Sequence, residues 1–408
     1  MAEDAAGRAF SGVTMQVHVI GAGLAGLSAA CTLVEAGHQV ILFEAAAQAG
    51  GRARSYFDKQ LGCRIDNGNH MLLSGNNSAL RYLKRIGSET TLTGPTAPVF
   101  PFKDLNSGAE WTLRLSRGRL PLWIFCPTRR VPGTRLADYG ALLTLRKARI
   151  DHLMPDIVDQ NGALYKNLLE PLTISALNTL PDQASARPLA AVFAETVERG
   201  GAASQPRWAK VGLSESFIDP ALDWLRTRGV DIKLGTRAQA LTPDQPTVLA
   251  VPPWIAKDLM PELNVPDQFE SICNLHFKFK TALGETGFYG LLGGMAEWVF
   301  ARDEVTSVTI SAANRYASLS QEQIATQVWG ELVSAFKFPT ELPPHRVLWE
   351  KRATFACTPA QLAKRPAAQS PRASVVLAGD WVNNGLPATI EGAIRSGEAA
   401  ANLLCRLI

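Results

Sequence analysis

Gly21, Gly23 and Gly26 stand in G-x-G-x-x-G spacing directly after the β-branched run Val17-His18-Val19-Ile20, and seventeen residues separate Gly26 from Glu44. Each residue has a physical role in holding a dinucleotide. Gly21 permits a tight turn, Gly23 lets the backbone approach a pyrophosphate, and Gly26 lets the next helix pack close to the strand. That helix, expected over 25–36, aims unpaired N–H groups and the positive end of its dipole at the phosphates, with Leu24 and Ala25 at its mouth. Glu44 ends a second apolar run, 39–43. A carboxylate there accepts both hydroxyls of an adenosine ribose and repels a 2′-phosphate, which excludes NADP at this position. Strand, turn, helix and acid together predict a dinucleotide site rather than a bare structural turn.

Two further stretches carry chemistry. In Gly50-Gly51-Arg52-Ala53-Arg54 the glycines let the chain pass beside a ligand, and Arg52 offers a planar fork to a phosphate. Near the C-terminus, the apolar run 375–378 ends in Gly379-Asp380. A turn through Pro387, Ala388, Thr389 and Ile390 then leads into a closing helix expected from about 388 to 404. Gly392, Ala393, Ser396, Gly397, Ala399 and Ala400 give that helix a face small enough to pack tightly on a neighbour.

The Gly-Gly-Arg stretch resembles the motif that follows the fingerprint in flavoproteins of the amine oxidase and phytoene desaturase superfamily, which implies FAD rather than NAD. Further stretches narrow the resemblance. They are Asp66-Asn67-Gly68-Asn69-His70, Glu170-Pro171-Leu172 with Ala176-Leu177-Asn178-Thr179, Arg352-Ala353-Thr354-Phe355, and Ala378-Gly379-Asp380-Trp381 with Gly385-Leu386-Pro387-Ala388-Thr389-Ile390-Glu391-Gly392-Ala393. With these, the chain from Met15 onward resembles the squalene-associated FAD-dependent desaturase-like family, the hydroxysqualene dehydroxylases. The sequence departs from the family pattern at Asn69-His70, where Gln-His is usual, and at Val382-Asn383-Asn384-Gly385, where a Thr-x-Thr-Gly type of turn is usual.

The resemblance implies reductive removal of an allylic hydroxyl from hydroxysqualene, giving squalene for hopanoid synthesis, with hydride from reduced FAD. It adds Ala45, Gly51, Asn69, His70, Met71, Leu72 and Ala238 to the cofactor-binding set. The closing helix would stabilise negative charge near flavin N1 and O2 through its dipole. Departure of the hydroxyl as water calls for a general acid. His70 is the first candidate and Glu391 the second; the alternatives are a histidine hydrogen-bonded within its turn and a glutamate that caps the closing helix.

The fold class expected is α/β, a doubly wound Rossmann-like FAD domain with a mostly helical and antiparallel-sheet substrate domain inserted into it. The FAD domain is read as 15–77, 207–265 and 345–408, and the substrate domain as 78–206 and 266–344. Residues 1–14 are small, polar and partly acidic, without the apolar core of a signal peptide, and read as a disordered tail. With 46% apolar and 19% charged residues the composition is ordinary. No run approaches the ~20 apolar residues of a membrane span, and a net charge of +4 is too small and dispersed for nucleic acid. The six cysteines form no C-x-x-C pair, so reduced thiols in a cytoplasmic protein are expected.

For a C30 isoprenoid substrate, Trp111, Trp123, Phe125 and Trp298 are candidate wall residues. Between Arg114 and Arg149 lie nine basic residues and one acid, Asp138. Such a stretch suits docking on anionic lipid at the inner membrane, at roughly 1 kcal/mol per basic residue. Reversing the charge of Arg129 and Arg130 should then weaken liposome sedimentation. The glycines at 290–294 lack a strand–turn–helix context, so an electron donor such as NAD(P)H would bind without its own Rossmann domain. Two rivals stand: a carotenoid-type desaturase on the same scaffold, and a flavin-free isoprenoid carrier of the Rab escort type.

Overall fold

The computed structural model describes residues 14–408, so the expected tail, apart from Thr14, lies outside the described residues. A five-stranded parallel sheet runs in the order Asp231–Lys233, Gln39–Phe43, Gln16–Ile20, Thr247–Leu249, Val375–Leu377. Its inner strands are short apolar runs, as expected of strands covered on both faces. Val17 and Val19, Leu42, Val248 and Val376 are fully buried. The first strand pairs with Gln39–Phe43 on one side and Thr247–Leu249 on the other. The strand order therefore reverses there, and a crevice opens beyond the C-terminal strand ends.

The fingerprint helix, Leu24–Glu35, packs on the closing helix, Ile390–Leu407. Small residues make this contact possible. A Cβ on Gly397 would lie 2.1 Å from the Ala25 carbonyl oxygen, and Ser28 Oγ donates to the Ile394 carbonyl at 3.0 Å.

The second unit is a seven-stranded sheet, ordered His345–Phe355, Phe269–Phe277, Val305–Ile310, Trp298–Arg302, Phe288–Leu292, Val99–Asp104, Glu110–Arg114. All its pairs are antiparallel except Phe288–Leu292 with Val99–Asp104. Cys273, Leu275, Val299, Val308 and Ile310 are buried in one core with Ile324, Val328 and Leu332 of the helix Gln321–Phe336. The opposite face looks toward the cofactor domain.

Two boundaries and the make-up of one segment differ from the sequence reading. Helix Asn77–Arg85 belongs to the cofactor-domain core: Ala79, Tyr82 and Leu83 are buried there, and Tyr82 Oη donates to the Phe217 carbonyl at 2.8 Å. Strand His345–Phe355 belongs to the seven-stranded sheet, paired with Phe269–Phe277. Finally, 78–206 is not mostly helical. It contributes two strands to that sheet, and helix Gly140–Arg146 is short and set among 3-10 turns. Strand Val99–Asp104 finds one of its two partners almost two hundred positions away, and no local periodicity records such a pairing.

Candidate active site

Each glycine of the fingerprint is tied to a distinct constraint. Gly21 has φ +105°, and a Cβ there would meet the Ala250 carbonyl oxygen at 2.4 Å. A Cβ on Gly26 would lie 1.8 Å from the Gly21 carbonyl oxygen. Around Gly23 a Cβ would meet nothing within 4 Å, and the helix starts from Gly23 without a side-chain cap. The turn is thus closed toward the sheet and open toward the crevice.

Glu44 is pinned at the same mouth. Its two carboxylate oxygens accept from Ala22 N and Ala46 N, each at 2.8 Å, with Ala45 between. The Thr236 amide donates to the Glu44 carbonyl at 2.8 Å, and Ala238, two residues on, packs partly buried against the second core. Gly50 N donates to the Ala22 carbonyl at 2.8 Å, and Gly51, at φ +56°, passes beside Gly23.

The chain then reaches Arg52, which pairs with Asp380 at 2.8 Å and also donates to the Ala353 carbonyl. The two strong sequence signals therefore meet in space. Arg52 does not stand free as a phosphate fork; Asp380 and the carbonyl already engage it. Arg52, Asp380, Trp381, Trp254, Phe269 and Phe355 line a small cleft at this junction. Beyond Asp380, the closing helix begins at Ile390 rather than Ala388, because Thr389 is its cap: Thr389 Oγ1 accepts from Gly392 N at 3.0 Å. Pro387 and Ala388 form the approach.

A residue the sequence reading missed holds this turn. The Arg365 guanidinium is buried and donates to the carbonyls of Asp380, Trp381, Val382 and Leu386. It also lies over the Phe355 ring at 4.9 Å. In sequence it reads as one more basic loop residue beside Lys364 and Pro366.

The 66–70 turn is stitched to both units. Asp66 accepts from Ser55 Oγ and the Leu213 amide and pairs with Arg302. Asn69 Nδ2 donates to Thr309 Oγ1 at 3.1 Å, Thr309 Oγ1 to Asn274 Oδ1 at 2.9 Å, and Asn274 Nδ2 to the Asn67 carbonyl at 3.3 Å. His70 is half-buried, and among the described residues no hydrogen bond reaches its ring. It is therefore not the hydrogen-bonded turn histidine of the alternative. Burial depresses its pKa, with Asp66 raising it and Arg52 lowering it, so the imidazole is neutral at pH 7. Met71 and Leu72 continue from it into a short strand, Leu72–Leu73.

Glu391, the second acid candidate, is engaged by the fold. Its buried carboxylate accepts from Ser78 N at 3.0 Å, Ala79 N at 2.8 Å and Arg395 Nη2 at 2.8 Å. It caps helix Asn77–Arg85, not its own helix, and is buried among these three donors.

Register across the larger sheet builds a wall. Asn274, Thr309, Trp298, Gly290, Phe102 and Trp111 are successive cross-strand partners, so their side chains share one face. The row starts at polar groups against Asn69 and ends in aromatic rings. A Cβ on Gly290 would strike the Phe102 ring at 2.6 Å; its absence lets Phe102 meet Trp298 at 5.7 Å while stacking on Trp111 at 4.6 Å. Two positions along the strands, Phe288 and Phe300 stack at 5.9 Å, with Trp208 edge-on to both. Trp111 and Trp298, two of the candidate wall residues, share this face of the sheet. Trp123 does not: it is buried edge-on to Tyr139. Phe125 is 60% exposed. Gly290 serves the sheet and Gly293, at φ +78°, the turn after it, so neither forms a second nucleotide loop.

The glycine turn, the carboxylate at the ribose position and the uncapped helix start fit FAD. The sequence pattern of the flavin containing amine oxidoreductases matches residues 24–189 and 221–405. Hydroxysqualene dehydroxylase of Zymomonas mobilis is 44% identical over 405 residues, covering 95% of this chain and 98% of that protein. The chain belongs to the hydroxysqualene dehydroxylase family of flavin-containing oxidoreductases. A chloroplastic/chromoplastic zeta-carotene desaturase of Capsicum annuum matches at 37% over 83 residues, which is 20% of this chain and 14% of that protein. In fold, cyclohexylamine oxidase from Brevibacterium oxydans is similar at a TM-score of 0.73 and 16% identity, covering 97% of this chain and 99% of that one.

In this hydroxysqualene dehydroxylase family member, the stretches that carried the resemblance are fasteners between units. Asn178 sits at φ 49° at a helix end; its Nδ2 donates to Thr354 Oγ1 at 2.9 Å and its Oδ1 accepts from Ala312 N at 2.6 Å. Thr179 Oγ1 accepts from Cys357 N at 2.8 Å. Both secure the strand end that carries Arg352-Ala353-Thr354-Phe355 beside Arg52.

Proposed function

We propose that this protein is an FAD-dependent hydroxysqualene dehydroxylase that replaces an allylic hydroxyl by hydrogen to yield squalene for hopanoid synthesis. The observation that carries the reading is the near-full-length likeness to proteins of that activity, on a scaffold whose aromatic row leads into the His70 turn. FAD, once reduced, supplies the hydride. Gly21, Gly23, Leu24, Ala25, Gly26, Glu44, Gly51, Asp380 and the 387–390 turn are the residues proposed to hold it.

The chain's own residues then have two tasks. Trp298 and Trp111, packed on the buried Phe102 ring, exclude water and give an apolar C30 chain a surface to lie on. His70 handles the hydroxyl. Its neutral ring can donate an N–H to the oxygen, and its protonated form, scarce at pH 7, is a stronger acid than free imidazolium. Loss of water takes up one proton, and hydride takes the vacated position. The electron donor is proposed to be NAD(P)H, which would bind without a dedicated Rossmann domain.

Against the desaturase reading, the likeness to the Capsicum annuum zeta-carotene desaturase spans a fifth of the chain. Against the carrier reading, Glu44, the glycine turn and Asp380 are all in place. Anaerobic reduced protein that turns hydroxysqualene into squalene would establish the proposal; desaturation of a polyisoprene by the oxidised protein would replace it.

A further inference from the structure

Among the described residues, six of the ten exposed large apolar side chains fall within 120–150: Leu120, Leu122, Phe125, Leu136, Leu143 and Ile150. Leu120 is 69%, Phe125 60% and Leu143 68% exposed. Such a concentration on one short stretch is uncommon on a surface that contacts water alone. The segment is nonetheless built. Trp123, Val131, Tyr139 and Leu145 are buried beneath it, and the Tyr139 hydroxyl accepts from Val131 N at 2.9 Å. These side chains are therefore held outward by a folded lobe.

The charge of the lobe matches one kind of partner. The nine basic residues of 114–149 face a single acid, in a chain whose net charge is only +4. Arg135, Arg146 and Arg149 pair with Asp138, Glu198 and Asp151. Among the described residues, no carboxylate pairs with Arg114, Arg117, Arg119 or Lys147, and all four are exposed. Free cations beside exposed Leu and Phe suit an anionic bilayer, which takes the charges at its headgroups and the apolar side chains at the acyl boundary.

The lobe also connects to the site. The core under it, from Trp123 and Tyr139, continues without a break to Phe355 and Trp381, which line the cleft beside Arg52 and Asp380. Trp111 and Trp298 of the aromatic row pack against the same core.

We infer that the 114–150 lobe is a docking surface for an anionic lipid bilayer, with Leu120, Leu122 and Phe125 as inserted anchors and Arg117 and Arg119 as headgroup contacts. The inference rests on the proposed water-insoluble substrate only for its purpose; the surface itself is argued from exposure and charge. It also corrects the choice of residues for a test. Arg129 donates to the Arg114 and Leu115 carbonyls and Arg130 to the Ile124 carbonyl, so reversing them would unpin the lobe.

The test is flotation of the full-length, flavin-loaded protein with phosphatidylcholine vesicles, with and without phosphatidylglycerol. Two variants are compared with wild type: the triple L120S/L122S/F125S and the double R117E/R119E. Wild type should float with anionic vesicles and be released by salt, and each variant should partition at least about tenfold less. Melting temperature and flavin spectrum should be unchanged, since none of the five side chains is buried. Turnover of detergent-dispersed hydroxysqualene should also be unchanged, whereas turnover from vesicles should fall. Wild type that stays at the bottom of the gradient overturns the inference, as does binding that ignores lipid charge. So does a triple variant that only dissolves a dimer seen by light scattering. Flotation as expected with no turnover in either format leaves the docking surface standing and removes the proposed reaction instead.

Discussion

Arg52 and Asp380 lie 328 positions apart and meet at 2.8 Å, joining the glycine-rich start of the cofactor domain to its closing strand and helix. The pair matters because the carbonyls around Asp380 are gripped by Arg365 from one side and its neighbour Gly379 by Ser396 Oγ from the other, at 3.1 Å. Displacing Asp380 would therefore disturb both halves of the crevice.

Asp380→Asn keeps the shape but removes the charge facing Arg52. Flavin affinity should fall about tenfold, or ~1.4 kcal/mol, read as loss of flavin absorbance on serial dilution and filtration. Retention equal to wild type would mean the pair does not organise the cofactor crevice.

Two alanine substitutions in the fingerprint should fail differently. Gly26→Ala places its Cβ 1.8 Å from a backbone oxygen and should not give folded protein. Gly23→Ala has free space and should fold with near-native circular dichroism, yet lose bound flavin, because the methyl occupies the side from which a pyrophosphate approaches. A yellow Gly23→Ala protein would count against the turn as the binding cradle.

His70 has a folded pKa below its ordinary value near 6.5. If its protonated form delivers the proton, single-turnover rates with pre-reduced flavin should rise as pH falls through 6.5. They should level off below the depressed pKa, with up to about tenfold gain per pH unit in between. His70→Gln should flatten that rise. A variant with the wild-type profile would remove His70 from proton transfer.

Glu391→Ala strips one buried acceptor from two amides and from Arg395. It should cost roughly 3 kcal/mol of stability, since Arg395 and two amides lose a partner, seen as a lower urea midpoint. Turnover per bound flavin should persist. A stable but inactive variant would restore Glu391 as a catalytic candidate.

What could be read in the chain follows from locality. The strand, turn, helix and acid of 17–44 are consecutive, so spacing alone placed them, and the last parallel strand showed as the apolar run 375–378. Glu391 was legible as an acid near a strong motif but not in its role, because its partners Ser78 and Ala79 lie over three hundred positions away. Arg365 was hidden for the same reason: a guanidinium that binds carbonyls leaves no complementary acid to search for. The aromatic row depends on register across five strand pairs, and the job of Gly290 as the gap between Phe102 and Trp298 emerges only once that register is known. The boundaries near 78 and 345 were missed because packing and strand pairing, not composition, decide them.

The most direct test is anaerobic. The purified protein is reduced, hydroxysqualene is added, and flavin absorbance is followed while products are extracted. The account predicts reoxidation of the flavin matched by squalene, one for one. Flavin that stays reduced with hydroxysqualene intact, in a protein that instead desaturates a polyisoprene when oxidised, would contradict it.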